Sequence, residues 1–359
     1  MPHVQVPQQR IETLDMLRGL AAVAVMLTHS TYYATQKLDP AFSSWGAGGY
    51  GVDLFFVISG FVVGSAAERA QGWRSFATAR AIRILPLYWI ATTLALALTL
   101  LAGQAQNIGH VVASYFLFPS WDTHGDPKPI LAVGWTLILE AVFYGVLTFA
   151  LALRVDTRKA ALLGLGGLAL LGTVLGDRAG AWSVPLSPLS LEFCLGMAVR
   201  EAVLRGWTID RPLAAVSLCG ALIILFSPQT WDGAPRLIGA GLPAAVAVWA
   251  AVSLEGIRIP RPLLLLGAVS YPLYLFHPMM ARVAVEVYAR AGLGNVGVAT
   301  AMAIIASVAV AAGIDRLLPL LSRGRASNRT APSQGPDQQI AEEDQRADDH
   351  QHAFGAVRP

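Results

Sequence analysis

Long apolar blocks separated by short polar breaks set the pattern of this chain. The blocks at 84–102, 134–153, 160–176, 213–227, 236–254 and 295–314 each approach the roughly 20 residues a helix needs to cross a bilayer. Reading the remaining apolar stretches on the same scale predicts spans at 13–34, 50–67, 83–103, 133–153, 160–176, 186–204, 213–228, 236–254, 263–282 and 295–315. The run HVVASYFLFP at 110–119 is too short to cross and is expected to be re-entrant or interfacial. The predicted fold class is therefore all-α: a polytopic membrane helical bundle of about ten transmembrane helices plus one short re-entrant segment.

Composition sharpens this picture. The chain is 55% hydrophobic and only 14% charged, with a mean hydropathy of +0.53, where a soluble domain carries about 25% charged residues. No cleavage site is evident before the second span, so the run beginning near Leu14 is read as the first membrane helix rather than a signal peptide. Of the 26 Lys and Arg, all but Lys37, Lys128, Arg178, Arg236, Arg282 and Arg290 fall on one side if the N-terminus is cytoplasmic. That skew obeys the positive-inside rule and places both termini in the cytoplasm. The expected organisation is a cytoplasmic N-terminal segment at 1–12, a membrane domain at 13–320 and a cytoplasmic tail at 321–359. The tail is rich in Pro, Gln and Asp, too poor in aliphatics to fold alone, and expected to be disordered. The two cysteines, Cys194 and Cys219, sit inside apolar runs and read as packing residues, and no metal site is expected.

Charges inside spans are costly and point to the bundle interior. In LDMLRGLAAVAVMLTHS (14–30), Arg18 and His29 are 11 residues apart, about three helical turns, which places both on one face roughly 16 Å apart. Asp15 falls near the same stripe. GYGVDLFFVISGFVV (49–63) carries Asp53 near the outer boundary, with Gly51 and Gly60 permitting close helix approach. RAIRILPLYW (80–89) puts Arg80 and Arg83 on one face at a basic helix start, suited to a phosphate-bearing ligand and equally to ordinary positive-inside anchoring. GWTLILEAVFYG (134–145) buries Glu140 between Thr136 and Tyr144, either for chemistry or as a clamp on an arginine. SYPLYLFHP (270–278) aligns Tyr271, Tyr274 and His277. Glu192 has no partner evident from the sequence. The topology puts His29, Glu140 and His277 in the outer half and Arg18, Arg80 and Arg83 on the cytoplasmic side, as two ends of one cavity.

These stretches, in this order over roughly 13–280, resemble the acyltransferase 3 family of integral-membrane O-acyltransferases that modify bacterial surface glycans. The Arg-x10-His, GVDLFFVISGF, Arg-x-x-Arg and Trp-Thr-Leu-x-x-Glu elements carry the resemblance together, and Thr136 stands where members often have serine. Some members carry a fused esterase-like domain; none is expected here. The resemblance implies residence in the bacterial inner membrane and transfer of an acyl group, usually acetyl, from acyl-CoA to a glycan hydroxyl, with no nucleic-acid partner. It makes His29 and Glu140 catalytic candidates, with His29 as general base and Glu140 orienting the imidazole or the acceptor. Arg18, Arg80 and Arg83 become donor-binding candidates. Asp53, Trp135, Tyr144, Tyr274 and His277 become substrate-binding candidates. A proton-coupled transporter or flippase is the competing reading, although the halves show no convincing internal repeat.

Overall fold

The computed structural model describes residues 11–228 and 234–326, with side-chain surroundings described as far as 317. Most of the expected N-terminal segment and of the tail lies outside these residues. Helix α1 (Glu12–Leu38) is followed by a 3-10 turn (Ala47–Tyr50) leading into α2 (Gly51–Glu68), then α3 (Trp73–Leu101) and the short α4 (Ile108–Tyr115). Next come α5 (Trp135–Leu153), α6 (Thr157–Leu175), an irregular 3-10 segment (Gly176–Ser183), α7 (Leu191–Leu204) and α8 (Arg211–Phe226). One turn, α9 (Ala234–Arg236), continues through a π turn (Leu237–Gly241) into α10 (Leu242–Ser253). The described chain closes with α11 (Arg261–Ala268), α12 (Ser270–Arg290) and α13 (Val296–Ala326). No strand occurs among the described residues. The compact bundle comprises residues up to Gly313; a second unit begins at Ile314.

Local chemistry accounts for the helix ends. Ile11 cannot cap α1 with its side chain, so the carboxylate of Glu255, from the α10–α11 connection, accepts the amides of Glu12 and Thr13 and the Thr13 hydroxyl. Orphan amides at a helix start favour an anion in that position. Asp156 caps α6 through the amides of Arg158 and Lys159, and Asn107 caps α4 through those of Gly109 and His110. Beside the α6 start, Arg158 pairs with Glu201, and Arg200 of α7 grips Glu68 of α2 with two hydrogen bonds of 2.9 and 2.6 Å.

By length and apolarity, five helical stretches qualify as membrane spans, and a sixth counts if α11 and α12, bent by 73° at Val269, form one broken span. The other expected spans fall on shorter helices, such as α8 and α10, or on α1, whose Asp15, Arg18 and His29 interrupt its apolar surface. The expected segment at 110–119 is α4, which folds back beside α3. Tyr88 Oη donates to the Ser114 carbonyl at 2.6 Å, and Trp89 Nε1 donates to that of Tyr115 at 2.9 Å.

The centre of the bundle is α2. The window containing it is 78% buried, whereas that of α6 is 17% buried. α2 packs on α7 at backbone contact: a Cβ on Gly60 would collide with the Phe193 carbonyl, and one on Gly196 with that of Val57. Small residues allow this approach where lipid supplies no hydrophobic drive between helices.

Candidate active site

His29 of α1 faces α12, and the two helices run in the same direction. His29 meets His277 near their middles, and Lys37 meets Glu286 at 2.8 Å further along. The imidazole of His29 therefore lies inside the bundle, its ring centroid 5.0 Å from that of His277.

The hydrogen bonds of this pair determine where its protons reside. His277 Nδ1 is 3.1 Å from the carbonyl oxygen of Leu273. A carbonyl only accepts, so Nδ1 of His277 carries the proton and, in the neutral ring, Nε2 accepts. His29 Nδ1 lies 3.0 Å from that Nε2 and 3.1 Å from the Val25 carbonyl. Both neighbours are acceptors, so His29 Nδ1 carries its own proton. Its Nε2 then presents a free lone pair, with no hydrogen bond to any described residue. The local sequence contributes to this arrangement. Pro278 inside α12 has no N–H, which deprives the Tyr274 carbonyl of its helical donor. The His277 ring also interacts with that freed carbonyl.

Glu140 stands apart from the histidines. Its Oε1 accepts from Ser59 Oγ at 2.9 Å and from Tyr144 Oη at 2.5 Å. It lies within electrostatic range of Arg18 and of Tyr271, as does Arg83. Asp15 also acts on Arg18. Arg80 packs over Phe76 and acts on Tyr144, and its Nε is buried without a hydrogen-bond partner. Among the described residues no hydrogen bond joins Glu140 to the His29 imidazole; the side chain bonded to that ring is His277, expected as a substrate contact. Two features explain the difference. α5 runs opposite to α1, so Glu140, more than a turn below Trp135, descends toward the arginines. The Leu273 carbonyl fixes the His277 tautomer, which residue type alone does not reveal.

Among the other expected contact residues, Tyr274 Oη is engaged by Thr136 Oγ1 at 2.8 Å and by the Val133 carbonyl at 3.1 Å. Trp135 stands edge to face on Phe56. Asp53 is fully buried and closed by Arg236, with Nε to Oδ1 at 3.0 Å and Nη2 to Oδ2 at 2.8 Å. The guanidinium of Arg236 also lies 5.1 Å over the Tyr50 ring. Glu192 interacts with both Asp53 and Arg236; it is fully buried, and its carboxylate oxygens lack hydrogen-bond partners. Asp53 thus belongs to an internal cluster on the α7 and α10 side of α2, remote in helical phase from Ser59. Sequence reasoning counted Arg236 only as an outer-side charge at the edge of the span 236–254 and missed its role as a partner. The available signal was an unpartnered Glu192 in an apolar span, which requires a cation nearby.

The apolar helices, with polar side chains paired between them, make this a multi-pass membrane protein. The chain belongs to the acyltransferase 3 family, whose acyltransferase domain matches residues 11–316. It is 34% identical to the exopolysaccharide production protein ExoZ of Rhizobium meliloti (strain 1021), over 84% of this chain and 97% of that protein. It is 28% identical to an O-acetyl transferase of Shigella phage Sf6, over 57% of this chain and 66% of that protein. A third relative, the peptidoglycan O-acetyltransferase OatA of Listeria monocytogenes serovar 1/2a, is 27% identical over 37% of this chain and 23% of its own length. No solved structure matches.

Proposed function

We propose that this protein is an acyl-CoA-dependent O-acyltransferase that moves an acyl group, in the first instance acetyl, to a hydroxyl of a cell-surface or lipid-linked glycan. The observation that carries the reading is the bare Nε2 of His29, held by the His277 contact in the tautomer a general base requires. His29 Nε2 takes the acceptor hydroxyl proton as the oxygen attacks the thioester carbonyl. The C–S bond then breaks, and the imidazolium returns the proton to the departing CoA sulfur. His277 Nε2 accepts the hydrogen bond of His29 Nδ1–H throughout and so stabilises the transient charge.

Arg18, Arg80 and Arg83 hold the donor's phosphates. Asp15 and Glu140 act on Arg18, so the three guanidiniums outnumber these two carboxylates, and guanidiniums bind phosphate with paired, charge-assisted hydrogen bonds. The pantetheine arm spans the stretch of about 16 Å from Arg18 to His29. Glu140, with Ser59 and Tyr144 on its oxygen, keeps the arginines in place. The gathering of Arg158, Arg200 and Arg205 at one end, where Arg158 and Arg205 both pair with Glu201, supports a cytoplasmic face there, with both termini inside the bacterial inner membrane.

The test is substitution of the base. His29→Ala should lower transfer by roughly 10²- to 10⁴-fold while the protein still inserts and binds acyl-CoA. Mass spectrometry of surface glycans from cells expressing either form reads the result as loss of one acyl mass. Near-normal acylation by His29→Ala would refute the mechanism.

A further inference from the structure

A cleft of about 490 Å³ opens where the chain after α4 meets the segment between α6 and α7, away from the residues assigned above. Its lining includes Asn107, His110, Ser120, Trp121, Asp122 and Thr123. The volume falls within the range of small-ligand sites, about 300–1,000 Å³.

Its chemistry is selective. Trp121 is 51% exposed, and its ring edge rests against Gly180. His110 is buried; its Nδ1 is bonded to Ser120 Oγ at 2.9 Å, and its Nε2 has no partner. Asp122 accepts the amides of His124 and Asp126 on Oδ1, both at 2.8 Å, which leaves Oδ2 without a described donor. A buried, unpaired imidazole nitrogen is costly unless a ligand or water satisfies it. An open indole beside one free imidazole nitrogen and one free carboxylate oxygen matches a pyranose ring, which presents an apolar C–H face and a rim of hydroxyls.

The cleft also connects to the proposed chemistry. The strap carrying Trp121 and Asp122 continues to Lys128, which lies within electrostatic range of His29. Lys128 pairs with Asp126 at 2.8 Å and holds that carboxyl below its usual range. The strap is then tied to α4 by the Ile130 amide donating to Ser114 Oγ at 3.0 Å.

We propose that this cleft docks a sugar ring of the acceptor glycan, a proposal that rests on the O-acyltransferase reading. One ring stacks on Trp121 while another residue of the same oligosaccharide presents its hydroxyl to His29. The preferred acceptor is therefore an oligomer rather than a free monosaccharide.

The test uses the full chain in lipid nanodiscs. Acetyl-CoA and three saccharide probes, tetramers of glucose, galactose and N-acetylglucosamine, are titrated separately by calorimetry and saturation-transfer NMR. At least one tetramer should bind saturably. Trp121→Ala should weaken it at least tenfold and Trp121→Phe should largely restore it, with acetyl-CoA affinity unchanged throughout. Thr123→Trp, which fills the cleft from an exposed strap, should abolish saccharide binding. Absence of any saccharide binding, or binding indifferent to Trp121→Ala and Thr123→Trp, overturns the docking site. So does quenching of Trp121 by brominated acyl chains with saccharide binding unaltered by Trp121→Ala, which would make the residue a membrane anchor. Failure of acetyl-CoA to bind the wild-type chain is a separate result, which strikes the O-acyltransferase reading itself.

Discussion

Two charge clusters, one partly exposed and one buried, flank α2, and their imbalance runs in opposite directions. Toward α1, α3 and α5, Arg18, Arg80 and Arg83 surround Glu140, whose Oε1 is already satisfied by two hydroxyls. Toward α7 and α10, Asp53 and Glu192 share one guanidinium, and Arg236 is engaged on both its fork and its face. On the proposed reading, the first cluster keeps cationic capacity for the donor's phosphates. In the second, the cation is fully used inside the protein. A charged group buried in a membrane bundle can thus be a ligand site or a brace, and its hydrogen-bond saturation separates the two.

The sharpest way to break this comparison is to remove the brace. Arg236→Ala leaves Asp53 buried and uncompensated and should destabilise the protein by about 3–5 kcal/mol. Thermal unfolding in detergent measures this, and an unchanged melting temperature would deny the cluster its structural role. Next in size, Arg83→Ala should raise KM for acyl-CoA about 10- to 100-fold, the loss of one charge-assisted hydrogen bond to phosphate. Its melting temperature should stay put, because Arg83 is exposed and anchors no described acid. Tyr144→Phe removes one of two hydroxyl donors to Glu140 and should cost about 0.5–1.5 kcal/mol, seen as a few-fold rise in the same KM and a small drop in melting temperature. The smallest effect is expected from Glu192→Gln. An amide of the same shape relieves the surplus acid beside Asp53, so stability should shift by less than about 1 kcal/mol and donor KM should not move. A large loss of stability there would show that the Glu192 charge is needed.

Much of this was legible from residues in order. The Arg-x10-His spacing put Arg18 and His29 on one helical face; His29 meets α12, while the groups acting on Arg18 come from α1, α3 and α5. The short run at 110–119 folds back as α4. The span count was less legible, because α7, α8 and α10 are too short or too interrupted to satisfy length and apolarity alone. Asp53 illustrates the main obstacle. Its position in GVDLFFVISGF gives its depth but not its direction around the helix relative to neighbours. Facing α7 rather than α5, it meets Arg236 from 183 residues away.

By itself, the sequence determined the all-α membrane class, the family and the residues rich enough in chemistry to matter. Hydropathy and helical period act locally along the chain, and each is readable from a window of some 20 residues. Only the tertiary structure decided who partners whom: His277 rather than Glu140 on His29, Glu140 near Arg18, and a cleft assembled from α4, its following strap and the α6–α7 segment. Those pairings depend on helix rotation and on contacts between distant segments. A hydrogen bond a few ångströms long is set by that packing, which no local window of residues contains.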